Sequence, residues 1–201
     1  KVPSAGSPRF AGEAGRVGIL YKKKSVPLAP IWGGGNQEMG WRPGTENLTA
    51  IVKFSEALEF TQKIKDREAK RLLALRDYFF NKIFKNTRNS AIAESLADYK
   101  IVLNGDKEKR LPNNLNITIP NIPSDLLVIE LSARGIMVSA KSACKEGDGE
   151  VSHVLKAINK EISETDGSIR FSLGRSTNKK DIDYTVKSLS LILKKLKKWY
   201  N

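Results

Sequence analysis

The chain has 201 residues, 40% of them hydrophobic, enough for one domain with a core or one domain plus part of another, and this sets disorder aside. Its single cysteine excludes an internal disulfide, no apolar run reaches bilayer length, and the first residues lack the order of a secretory signal; the expectation is a cytoplasmic protein with a free thiol and no membrane association. A formal charge of +13 suits an anionic partner, but the lysines at 22–24, 179–180 and 194–198 and the run Lys107 to Arg110 have no repeated aromatics between them, so a solvated basic surface is preferred to nucleic-acid binding.

Val17 to Tyr21 (VGILY), a short apolar run between glycine and lysines, predicts a strand ending at the surface. From Trp32-Gly33-Gly34-Gly35 to Pro43-Gly44 the glycine content predicts tight turns or close backbone approach. Gly33 to Gly35 lack the strand, lysine and serine context of a P-loop. Thr45 is expected to cap a helix running from about Asn47, with Leu48, Ile51, Val52, Ser55 and Leu58 on one face. A second helical period, from Asp66 to about Phe84, carries Leu72, Leu75, Phe79 and Ile83, and the two can form one long helix with a bend.

Beyond Lys100 the period shortens. Strands are expected at Ile101 to Leu103, Leu115 to Ile119, Ile136 to Ser139 and Ser168 to Leu173. A helix starts at Ser124 and ends near Gly135, which sits where a left-handed C-terminal cap belongs, and a short helix begins near His153. The last helix, from about Lys180, aligns Ile182, Val186, Leu189, Leu193 and Leu196, a stripe that covers its own domain in preference to a membrane surface.

Two stretches, SARGIMVSAKSACKEGDGEVSHVLKAI and GSIRFSLGRSTNKKDID, together resemble the C-terminal region of the cysteine desulfurases, pyridoxal phosphate enzymes of the class V aminotransferase group. Upstream, GGGNQEMGWRPGTEN is similar to the family's G-G-G-Q-E…R-x-G-T-E-N segment, with Asn36 as an extra residue; the likeness runs from about Val17 to Lys198. The resemblance implies a type I transferase fold of α/β class. Residues 1–45 would be the end of the large cofactor domain, with 1–16 atypical, and 46–201 the small C-terminal domain, a mixed or antiparallel-rich sheet covered by helices.

The same resemblance implies the chemistry. Cys144 matches the thiolate that takes sulfur from L-cysteine, leaving alanine and a persulfide, and Lys141 and Lys145 beside it would favour the thiolate. Arg170 matches the arginine that grips the substrate carboxylate with its fork of donors, with Arg175 the second candidate. Thr45 matches the threonine that reaches the cofactor phosphate of the neighbouring subunit, which implies a homodimer. The sulfur acceptor would be an iron–sulfur scaffold protein or a thiolation partner. His153, the only histidine, is read as packing or capping, and no metal site is expected.

One departure matters. The family's cofactor lysine precedes a strand like VGILY, but no lysine lies between Lys1 and Lys22; one alignment sets Pro8 and Arg9 on the histidine–lysine pair, and arginine cannot form the Schiff base. The expectation is an incomplete chain, inactive alone. A selenocysteine lyase or transaminase in the same cofactor group, and a non-catalytic module contacting RNA or a sulfur acceptor, are the alternative readings.

Overall fold

The computed structural model describes residues 17–84, 96, 99–140, 153–158 and 167–200. The chain divides into two compact units, Lys1–Asp66 and Arg67–Asn201.

In the first unit Val17 to Tyr21 forms no strand, contrary to expectation: a strand needs a neighbour to pair its backbone, none of the described residues supplies one, and Ile19, Leu20 and Tyr21 are exposed. The glycine-rich stretch does turn tightly. Gln37–Gly40 carries left-handed backbone at Glu38 (φ 51), Met39 (φ 58) and Gly40 (φ 80), and the Gln37 Oε1 accepts a hydrogen bond from the Gly44 N–H at 3.1 Å. Helix α1 (Leu48–Phe84) then runs unbroken for 37 residues, so the two helical periods are one helix. Its cap is Asn47 and not Thr45. The Asn47 Oδ1 accepts from the Ala50 N–H at 3.1 Å, satisfying one of the donors that a helix start leaves open.

Among the described residues the second unit holds four strands: β1 (Val102–Leu103), β2 (Asn114–Ile119), β3 (Ser139–Ala140) and β4 (Gly167–Ser172). The described residues also form the helices α2 (Ser124–Ser132), α3 (His153–Ile158) and α4 (Lys179–Tyr200). The sheet order is β1-β2-β4-β3 and every pair is antiparallel. The expected α/β architecture is present, with no parallel pair among the described strands. β3 begins three residues later than expected, because the preceding residues finish a helix: the Ile136 N–H bonds the Leu131 carbonyl and the Gly135 N–H the Ser132 carbonyl, with Gly135 at φ 72. This is a Schellman ending, which needs a residue free of Cβ crowding at the left-handed position.

Period-two alternation gives the sheet two faces. Leu115, Ile117 and Ile119 of β2 and Ile169 and Phe171 of β4 join the core with Leu72, Leu75, Phe79 and Ile83 of α1 and the predicted stripe of α4. Phe79 meets Phe171 edge to face, with centroids 4.9 Å apart. Gly167 lets β4 pass close to the start of α2: a Cβ there would strike the Ile122 carbonyl and lie 2.9 Å from the Leu127 side chain.

The other face is polar yet partly buried. Thr118 and Ser168 are 3% and 5% exposed. Asn104 compensates them: its Nδ2 lies 2.8 Å from the Asn116 Oδ1, 2.8 Å from the Thr118 Oγ1 and 3.2 Å from the Ser168 Oγ, and its Oδ1 accepts from the Thr118 hydroxyl at 3.0 Å. Buried polar groups so satisfied fix one register of strands, since a one-residue slip would put apolar side chains among amides.

Candidate functional site

Arg170 belongs to this polar face. On β4 it follows Ser168 at the strand's two-residue period, and the register sets it opposite Asn116 of β2 on one side and Ser139 of β3 on the other. Its Nη2 donates to the Ser139 Oγ at 3.3 Å, while its Nε is buried without a hydrogen-bond partner among the described residues. Asn116 cannot readily serve as that partner, because its Oδ1 already receives Asn104 and the Ser168 hydroxyl, the latter at 3.1 Å. A guanidinium held on a rigid strand with donor capacity left over is suited to grip a carboxylate.

The turn after β4 is fixed from α1. Arg71 donates to the carbonyls of Thr177 (2.8 Å), Gly174 (3.0 Å) and Arg175 (3.1 Å), and Glu68 holds the same guanidinium at 2.7 and 2.9 Å. These hydrogen bonds raise the proton affinity of Arg71 and hold the Glu68 carboxyl below its ordinary range. The Gly174 N–H also donates to the Thr177 Oγ1 at 2.9 Å. Arg175, the second candidate for the carboxylate, lends its main chain to this turn.

Thr45 lies in the first unit, exposed, between Gly44 (φ 109) and the start of α1. Nearby, the Arg42 guanidinium lies 4.7 Å over the Trp32 ring and the Lys22 ammonium 5.1 Å over Trp41. Cys144, Lys141 and Lys145 lie outside the described residues, as do Pro8 and Arg9; His153 is the first residue of α3. The structure thus brings Arg170 together with Ser139 and Asn116, two neighbours that sequence reasoning did not name. Their signal was the strand register, which a single sequence does not display.

Comparison with known proteins gives a consistent set. The family profile for aminotransferase class-V matches residues 4–185. The cysteine desulfurase IscS of Dictyoglomus turgidum is 38% identical over 194 residues, 96% of this chain and 46% of that protein. The cysteine desulfurase IscS 1 of Archaeoglobus fulgidus is 38% identical over 181 residues, 90% of this chain and 44% of that protein. The cysteine desulfurase NifS of Azotobacter vinelandii is 32% identical, covering 90% and 42%. Among solved structures, a NifS-like protein superposes with a TM-score of 0.69 at 30% identity, covering 88% of this chain and 42% of that one. A NifS-like protein from Rickettsia africae does so with a TM-score of 0.68 at 25% identity, covering 84% and 41%. The chain spans less than half the length of these relatives.

Proposed function

Starting from the fact that the chain belongs to the aminotransferase class-V family, we propose that it is part of a pyridoxal phosphate-dependent cysteine desulfurase. L-cysteine loses its sulfur to the Cys144 thiolate: the carbon–sulfur bond breaks with its electron pair left on carbon, a proton completes alanine, and a sulfur–sulfur bond forms at Cys144. The observation that carries this reading is Arg170, whose guanidinium keeps an unpartnered buried Nε on the polar sheet face, beside Ser139 and on a strand of the family's sequence. Its role is to hold the substrate carboxylate, and that of Ser139 to hold the guanidinium.

The residues of this chain do not by themselves fit the cofactor. Thr45 offers one exposed hydroxyl for a phosphate, the Trp32 and Trp41 rings are already covered by Arg42 and Lys22, and no lysine lies between Lys1 and Lys22. The reading assigns residues 1–45 to the end of a large cofactor domain and 46–201 to the small domain, and it includes a homodimer in which Thr45 serves the neighbouring subunit. Sulfur would leave Cys144 for an iron–sulfur scaffold or thiolation acceptor in the cytoplasm. No described helix is long and apolar enough to cross a membrane.

The test is to co-express the chain with the N-terminal half of the Dictyoglomus turgidum relative, supply pyridoxal phosphate and L-cysteine, and measure alanine and the mass of the Cys144 peptide. Alanine release with one sulfur added at Cys144 is expected, along with loss of the persulfide in Cys144→Ala and a raised KM in Arg170→Lys. Alanine release indifferent to Cys144→Ala would overturn the assignment.

A further inference from the structure

Away from the polar sheet face, the second unit gathers positive charge in a narrow cleft where α1 meets the loop between β1 and β2. Phe80 and Leu115 form apolar wall, and Arg76, Lys107 and Arg110 face it with a single carboxylate, Asp77. Arg76 is 4% exposed although it is charged. Its Nε and Nη2 are both used on the Asp77 Oδ1, at 3.2 and 2.9 Å, and its Nη1 reaches only the Leu111 carbonyl, at 3.5 Å.

Arg110 has no carboxylate bonded to it among the described residues. Its Nε donates to the Asp106 carbonyl at 2.5 Å and its Nη2 to the Asn104 carbonyl, both main-chain oxygens, and its Nη1 is buried with no partner. The nearby Asp106 carboxylate is turned to the N–H groups of Glu108 and Lys109, each at 2.7 Å. Burial and then the charge of Arg76 lower the proton affinity of Arg110, the signature of two guanidiniums sharing too little negative charge. Such a desolvated, half-used donor is costly unless an anion completes it. In this conformation the cleft is narrow. Its exposed wall is Lys107, whose ammonium rests 5.0 Å over the Phe80 ring, a contact weak enough to be exchanged.

We propose that this cleft is a binding site for a small oxyanion, a phosphate or a carboxylate group, which enters as Lys107 swings from Phe80, is held by the Nη1 atoms of Arg76 and Arg110, and takes the Lys107 ammonium as its third cation. The bonds from Arg76 to Asp77 and from Arg110 to the Asp106 carbonyl use other nitrogens and can stay in place. The site is separate from Arg170, since Leu115 belongs to the opposite face of the sheet.

The experiment is a thermal-shift and NMR titration of the 201-residue chain with inorganic phosphate and, separately, acetate, at ionic strength held constant with chloride. A saturable shift is expected, with affinity reduced about tenfold in Arg110→Gln and about threefold in the exposed Lys107→Gln. Lys187→Gln, which removes an equal charge on α4, is expected to leave it unchanged. Saturation by phosphate alone identifies a phosphate ligand, and saturation by acetate as well identifies a carboxylate-accepting site. No saturable response to either anion, or the parental affinity in Lys107→Gln together with Arg110→Gln, overturns the proposal. Should Arg110→Gln fail to fold, parental affinity in Lys107→Gln alone does so.

Discussion

One helix, α1, contains two regions of opposite fate. Between Leu48 and Phe60 its larger apolar residues are mostly exposed, Leu48 at 70% and Ile51, Val52, Leu58 and Phe60 as well, while the small Ala50 and Ala57 are buried. Between Leu72 and Ile83 the same kind of stripe is buried, with Phe79 at 1%. Both stretches are helical, because a helix once nucleated propagates at little cost, and both carry a period of 3.6. The difference teaches that periodicity marks the face a helix would bury, whereas burial itself depends on what the rest of the chain brings to that face.

The sharpest test of this contrast is truncation on each side of it. Phe79→Ala removes the ring that meets Phe171 and is expected to cost about 3–5 kcal/mol, while Leu48→Ala stays within about 0.5 kcal/mol. Urea unfolding with a common slope measures both, and equal losses would erase the distinction. Glycines offer a second comparison. Gly167→Ala forces a methyl against the Ile122 carbonyl and is expected to cost about 1–3 kcal/mol, but Gly18→Ala in the first unit meets nothing within 4 Å and is expected to change stability by less than about 0.5 kcal/mol.

A smaller effect separates the two candidate caps of α1. Asn47→Ala should lose about 1 kcal/mol of helix stability, readable by circular dichroism, and Thr45→Ala much less, because the bond to Ala50 comes from Asn47. The smallest effect is electrostatic. Hydrogen bonds from Lys195 and Arg134 hold the Glu130 carboxyl below its ordinary value of 4.5, so its contribution is complete above that value and is lost as pH falls through the lower folded one. Glu130→Gln should therefore flatten the acid limb of the second unit's stability. Glu59 is also lowered, by Lys63, but both side chains are about two-thirds exposed, so added salt should cancel any effect of Glu59→Gln.

What was legible in the sequence follows the same division. The stripe of α4, the Gly135 ending and the alternation of β2 and β4 were readable because local geometry and one continuous core agree on them. Arg170 was singled out through its motif. Its neighbours Ser139 and Asn116 were not, since register pairs residues 31 and 54 positions away along the chain. Asn116, Thr118 and Ser168 alternate with apolar residues, but alternation distinguishes two faces without saying what lies over either. Arg76 did leave a signal: four residues after Leu72 and three before Phe79, it puts a charge on the apolar stripe itself. Val17 to Tyr21 failed as a strand for the reason that strands are made in pairs.

The sheet also has a bearing on how this chain behaves in a crowd. Its long strands, β2 and β4, lie in the middle, and both outer positions are occupied by two-residue strands, Val102–Leu103 and Ser139–Ala140. A foreign strand seeking an open ladder finds a stub at either side, too short to seed stacking. Among the described residues, both edges of the sheet are thus blunted by brevity against edge-on pairing.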